Sequence, residues 1–175
     1  MSKRLSLREF QRDLATRLGN AQRGNNPRAL LAVESGRDGD TRWLLDLADA
    51  GEITPLGNLT PVALTKPWFA GVANVRGVLY GVADFSAFRG GTSTPRNAES
   101  RLMLIGARHG SNAALLIHRA LGLRAPESMQ GEAEPPPAGA PAWHGGYVTG
   151  ADGQRWSRLK VAELLADKDF LDIVR

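Results

Sequence analysis

The residues best placed for chemistry or recognition lie between Thr65 and Gly90, in TKPWFAGVANVRGVLYGVADFSAFRG. Asn74-Val75-Arg76-Gly77 is a polar tetrapeptide between two apolar runs, Trp68 to Ala73 and Val78 to Val82, and this predicts strand, tight turn, strand. Gly77 suits the positive φ of a short hairpin turn, and the Asn74 side chain can close it, so both types have a conformational reason. Arg76 has none. A guanidinium on a rigid turn beside Trp68 and Phe69 offers directional donors to another macromolecule; taken alone, a solvated turn arginine is the plainer reading. Glu52 and Asp84, on or beside apolar strands, are the one pairing that suggests acid/base work. A salt bridge or a turn hydrogen bond is the commoner use of each.

Other catalytic signatures are missing. His109, His118 and His144 are far apart and in no His-x₃-His or Glu-x-x-His spacing, so no metal site is expected. The chain has no Gly-x-Ser-x-Gly elbow, no Gly-x-x-x-x-Gly-Lys loop and no Gly-x-Gly-x-x-Gly, and no cofactor is expected. It contains no cysteine, which removes disulfides and thiolate chemistry and is compatible with a reducing cytoplasm. Asn58-Leu59-Thr60 matches a glycosylation sequon, read as incidental without a secretion signal. The expectation is a protein that is not an enzyme.

Composition narrows the class further. The 175 residues, 42% hydrophobic and 23% charged, suffice for one core or two small packed units. No apolar run exceeds about five residues, against the roughly 20 of a spanning helix, so no direct membrane insertion is expected. The net charge is +4, but residues 1–30 hold seven basic side chains against Glu9 and Asp13, leaving 15 basic and 16 acidic groups over the other 145. A nucleic-acid reader carries its basic stripe on the folded surface with aromatics among it, so the balanced body argues against nucleic acid. A small barrel binding nucleic acid through a basic N-terminal arm stays as the competing reading, with a hydrolase built on Glu52 or Asp84 behind it.

The elements that must position these residues are mostly short strands. Ser6-Leu7-Arg8-Glu9 has capping-box spacing, and Leu7, Phe10, Leu14 and Leu18 recur at helical period, predicting an amphipathic helix over 7–18 and a linker over 19–28. Leu30 to Val33 and Arg42 to Leu47 read as strands around a Gly36–Gly39 turn, followed by an extended segment Glu52 to Leu56 ended by Pro55. After the central hairpin come a polar loop over 90–100, a buried strand Arg101 to Arg108 and a partner strand Asn112 to Leu121. Residues 125–141 read as a long exposed Pro-rich loop. Tyr147-Val148 begins a short strand reaching an Asp152-Gly153 turn, and Leu159 to Val174 reads as a closing helix. Many short strands without βαβ alternation predict an all-β, small-barrel architecture with flanking helices, divided as 1–28 and 29–175.

From about Ala29 to Leu165 the chain resembles the CheW-like adaptor domain of bacterial chemosensory arrays. Trp43 to Ile53, WLLDLADAGEI, follows that family's apolar strand, Asp-hydrophobic pair and Glu-Ile register. Gly71, Asn74, Val75, Arg76 and Gly77 match its Gly-hydrophobic-x-Asn-Leu-Arg-Gly turn; Asp84-Phe85-Ser86 stands for an Asp-Leu-Arg-like motif, LLIHRALGL from Leu115 echoes a later segment, and Trp156 to Leu165 looks like the family's closing helix. Ser86 stands in place of the usual arginine, Gly81 of a frequent proline and His118 of a common aspartate.

The resemblance implies two small five-stranded β-barrels sharing a core. It also implies a scaffold that does no chemistry, joining the cytoplasmic tip of a methyl-accepting chemoreceptor to the regulatory domain of a CheA-type histidine kinase. The location implied is the cytoplasm, at membrane-associated receptor arrays. The N-terminal amphipathic helix and Pro-rich insertion make the chain look most like the adaptors of type IV pilus (twitching motility) systems. On this reading Glu52, Leu56, Phe69, Gly71, Val72, Asn74, Val75, Arg76, Gly77 and Asp84 are the partner-binding residues, Arg76 bridging Glu52. Leu44 and Leu47 are further candidate anchors, and residues of this kind, Leu56, Phe69 and Val72 included, are more often core than interface.

Overall fold

The computed structural model describes residues 29–37, 41–129 and 133–175. The expected helix over 7–18 and its linker lie outside these, as do the tip of the Gly36–Gly39 turn and the centre of the Pro-rich loop.

Among the described residues eleven strands form two mixed sheets. The strands are β1 (Leu30–Ser35), β2 (Thr41–Asp46), β3 (Ala50–Pro55), β4 (Leu59–Thr60), β5 (Phe69–Val75), β6 (Val78–Asp84), β7 (Arg101–Ile105), β8 (Ala113–Ile117), β9 (Arg119–Arg124), β10 (His144–Thr149) and β11 (Arg155–Leu159). One sheet runs β10-β11-β2-β1-β9 and the other β3-β7-β8-β6-β5-β4, so the second has six strands, the last of only two residues, where five are expected. The described residues also form three short α-helices: α1 (Phe85–Phe88), α2 (Val161–Ala166) and α3 (Lys168–Leu171).

Both faces of each sheet are covered, and the pleat assigns alternate residues to different cores. Leu31 and Val33 of β1 join Trp43 and Leu45 in a core shared with Ala83, Met103, Leu115 and Ile117 of the other sheet. Leu30 and Ala32 face the opposite way, onto Leu44, Val148 and Trp156. A third cluster, with Val82, Leu102, Leu104 and Leu116, fills the concave side of the six-stranded sheet. This is why β1 and most of β8 are apolar without alternation. Leu44 therefore belongs to the core, fully buried, while Leu47 is 37% exposed.

The shared core is threaded by aromatic rings. Trp43 meets Phe85 edge-on at 5.1 Å between centroids, and contacts continue through Trp143, Phe88 and Phe170 to Trp68, which stacks on Phe170 at 5.8 Å.

Three expected elements are corrected. Asn112 to Leu121 is two strands: β8 pairs with β7, the chain bends at buried His118, whose N–H donates to the Glu34 carbonyl, and β9 then joins β1 in the other sheet. The strand from Arg101 ends at Ile105, before a 3₁₀ turn over Ala107–His109. The closing helix over 159–174 is broken: Trp156 to Leu159 is part of β11, and Asp167 interrupts the rest with extended backbone while its carboxylate accepts the Asp169 and Phe170 N–H groups. A carboxylate that caps a new helix stops the preceding one.

Candidate partner-docking site

Strands β5 and β6 pair through Val75 and Val78, leaving Arg76 and Gly77 as a two-residue loop. Their φ angles are +53° and +88°, the double left-handed pattern of a type I′ hairpin turn. The Gly77 N–H donates to Asn74 Oδ1 at 2.8 Å, so both residue types serve the turn as their chemistry suggests. Arg76 shares that conformation, which its side chain disfavours. The sequence reading gave Arg76 no conformational role; the strand register makes it one of the two turn positions.

The guanidinium stands out from this turn. Arg76 Nη2 donates to Glu52 Oε1 at 2.7 Å, with the arginine side chain 78% and the glutamate 39% exposed. Beside it Val78 and Leu79 are 42% and 61% exposed. These two apolar side chains were not singled out from sequence. Their exposure follows from β6 running past the edge of its neighbour β8, which pairs only from Gly81 onward. Leu56 and Val75 are half-buried against the concave core, and a cavity of about 240 Å³ lies between the turn and the end of β3, lined by Thr54, Pro55, Asn74, Arg76 and Leu102 among others.

The sequence-derived set therefore divides. Glu52, Asn74, Arg76 and Gly77 meet at the hairpin tip, with Leu56 and Val75 beneath. Gly71 and Val72 lie midway along β5. Gly71 is buried at φ +125°, where a Cβ would run into the Thr60 carbonyl of β4, so it permits a close strand approach. Phe69 begins β5, about 20 Å of strand from the tip, and lines a different groove with Trp68, Phe170, Leu171 and Ile173.

Asp84 is interior, 5% exposed. Its carboxylate accepts the Ala87 N–H at the start of α1, the Thr94 N–H at 2.7 Å and the Thr94 hydroxyl at 2.8 Å. It pins the 90–100 loop to α1 and offers no surface to a partner. The hydrolase reading also fails here. Asp84 is buried against Ala87 and Thr94 while Glu52 stands half-exposed at the hairpin tip, and each carboxylate is already engaged. Among the described residues no group of three or more His, Asp or Glu is arranged to hold a metal.

Elsewhere among the described residues Glu34 and His144 are lowered and Arg119, paired with Glu34, is raised. Glu34 is 2% exposed on β1, between its cross-strand neighbours Arg42 and Arg119. Burial pushes its carboxyl up, but hydrogen bonds from Arg119 at 2.6 Å and Arg42 at 3.1 Å outweigh it and hold the group below its ordinary value. Burial, with the nearby Arg89 and Arg155 charges, lowers His144.

A family model described as a CheW-like domain matches residues 36–169. Among solved structures the chain is similar to the scaffolding protein TtCheW from Thermoanaerobacter tengcongensis, with a TM-score of 0.63 and 20% sequence identity over 77% of this chain and 90% of that one. At that identity the likeness concerns the fold. No curated protein matches the sequence.

Proposed function

The chain belongs to the CheW-like domain family, and on that premise we propose that it is a non-enzymatic scaffold coupling a methyl-accepting chemoreceptor to a histidine kinase. The partners are the cytoplasmic tip of the receptor and the regulatory domain of a CheA-type kinase, met in the cytoplasm at receptor arrays. Among the described residues no helix is long and apolar enough to cross a membrane. The pathway is one that controls type IV pili, with this chain in the place of a PilI-type adaptor.

The observation that carries this reading is the hairpin tip. An exposed guanidinium, held by one carboxylate on a two-residue turn and flanked by exposed Val78 and Leu79, combines directional donors with an apolar contact at little entropic cost on docking. The test is binding of the full chain and of Arg76→Ala to the purified kinase regulatory domain and receptor cytoplasmic fragment. A loss of ten-fold or more toward at least one partner, with unfolding unchanged, supports the reading. Unchanged affinity for both removes the tip from the interface. Recovery of a pilus-associated receptor with the tagged full chain from its own cell would support the pathway; recovery of flagellar receptors alone would overturn it.

A further inference from the structure

The second groove, lined by Trp68, Phe69, Phe170, Leu171 and Ile173, has a volume of about 270 Å³ and no part in the hairpin tip. Its lip is built from two segments clipped together: Lys66 N–H donates to the Ile173 carbonyl at 2.8 Å and Arg175 N–H to the Leu64 carbonyl at 2.9 Å. That lip is apolar and in water. Leu64, Leu171 and Val174 are 80%, 62% and 64% exposed. Leu64 is the sharper case, because it sits at φ +59°, where glycine or asparagine would be easier. A leucine that is neither buried nor conformationally suited has no reason for its type inside the described fold. Strained backbone carrying an exposed apolar side chain fits a surface that is covered by something.

The chain carries a segment of matching chemistry. Leu7, Phe10, Leu14 and Leu18 recur at helical period, which predicts an apolar stripe, and residues 1–28 hold Lys3, Arg4, Arg8, Arg12, Arg17, Arg23 and Arg28 against Glu9 and Asp13. The groove wall over 161–175 has the opposite balance, Glu163, Asp167, Asp169 and Asp172 against Lys168 and Arg175, with Asp172 paired to Lys66 at 2.9 Å and Asp167 capping α3. The ten residues 19–28 reach about 33 Å when extended, against a radius of gyration of about 15 Å for a domain of this size. Tethering raises the local concentration of the segment to the millimolar range, which favours it over a second copy. We propose that residues 7–18 dock, apolar stripe inward, into the groove between Trp68 and Ile173, with their basic side chains along the acidic C-terminal wall.

The absence of native cysteine makes this testable by disulfide trapping in the full chain. Leu14→Cys combined with Leu171→Cys is expected to give a within-chain disulfide under mild oxidation, with a yield unchanged on ten-fold dilution and lost when Phe10→Asp is added. Leu14→Cys paired with Leu123→Cys, on an exposed position of β9, should trap at least five-fold less. Equal trapping at Leu123, no trapping at Leu171, or a disulfide joining two chains would each overturn the proposal, the last assigning the groove to a second copy. Hydrogen exchange at residues 165–173 gives a reading free of engineered cysteines: Phe10→Asp should speed it several-fold, and unchanged exchange would sink the proposal.

Discussion

Arg76 and Glu52 touch although β6, the nearer of the two strands that the Arg76 turn joins, stands three places from β3 in the order β3-β7-β8-β6-β5. In a flat sheet three spacings are about 14 Å, so a 2.7 Å ion pair fits a six-stranded sheet that curls toward itself. Among the described residues no ladder joins β3 to β4 or β5. The ends are held near each other by the three-residue link from Pro55 to Leu59 that joins β3 to β4, and by the apolar cluster inside the curl, with the ion pair at the rim.

That geometry separates binding from stability. Arg76→Asn places a residue better suited to φ +53° at the turn and deletes the cation. Its unfolding free energy should stay within about 1 kcal/mol of the parent, since an exposed ion pair adds little. Its affinity for the proposed partners should fall at least ten-fold, and denaturant titration with binding on the same samples checks both.

Asp84 should behave in the opposite way. Asp84→Ala removes a helix cap and leaves the buried Thr94 unsatisfied, so a loss of about 1–3 kcal/mol is expected. Partner affinity, measured where the variant is fully folded, should change less than two-fold. A ten-fold loss would place the residue in the interface after all.

Gly71 tests the close approach of β4 to β5. Gly71→Ala meets both an unfavourable φ and the Thr60 carbonyl, and the backbone term alone is about 1–3 kcal/mol. The expected reading is a lower denaturation midpoint with unchanged slope.

Phe85 joins the sheets through Trp43 and is 1% exposed. Phe85→Ala should cost about 3–5 kcal/mol, a loss that thermal unfolding followed by tryptophan fluorescence would register.

Acid should weaken the fold in two windows. For both His144 and Glu34 the folded value lies below the ordinary one, so the unfolded chain binds more protons and stability drops as pH falls. His144 contributes from about its ordinary value of 6.5 downward, and Glu34 only below about 4.5. Melting temperatures from pH 8 to 3 should fall in both ranges; His144→Phe should flatten the first and Glu34→Gln the second.

What the sequence determined by itself was local. The hairpin between Trp68 and Val82 was legible because two apolar runs flank a turn whose Asn74 and Gly77 act within four residues of each other. The strand-rich class and the family were legible too, since periodicity and motif order survive without knowing which strand lies beside which. The Arg76–Glu52 bridge was named from the sequence as well, but only the tertiary structure decided that it spans a curled sheet rather than neighbouring strands, that Asp84 faces inward, that Phe69 lines another groove, and that the chain changes sheets at His118. The physical reason is the same in each case. Turn chemistry is set by residues a few bonds apart, whereas strand order is set by the joint burial of both sheet faces, to which every distant apolar side chain contributes at once.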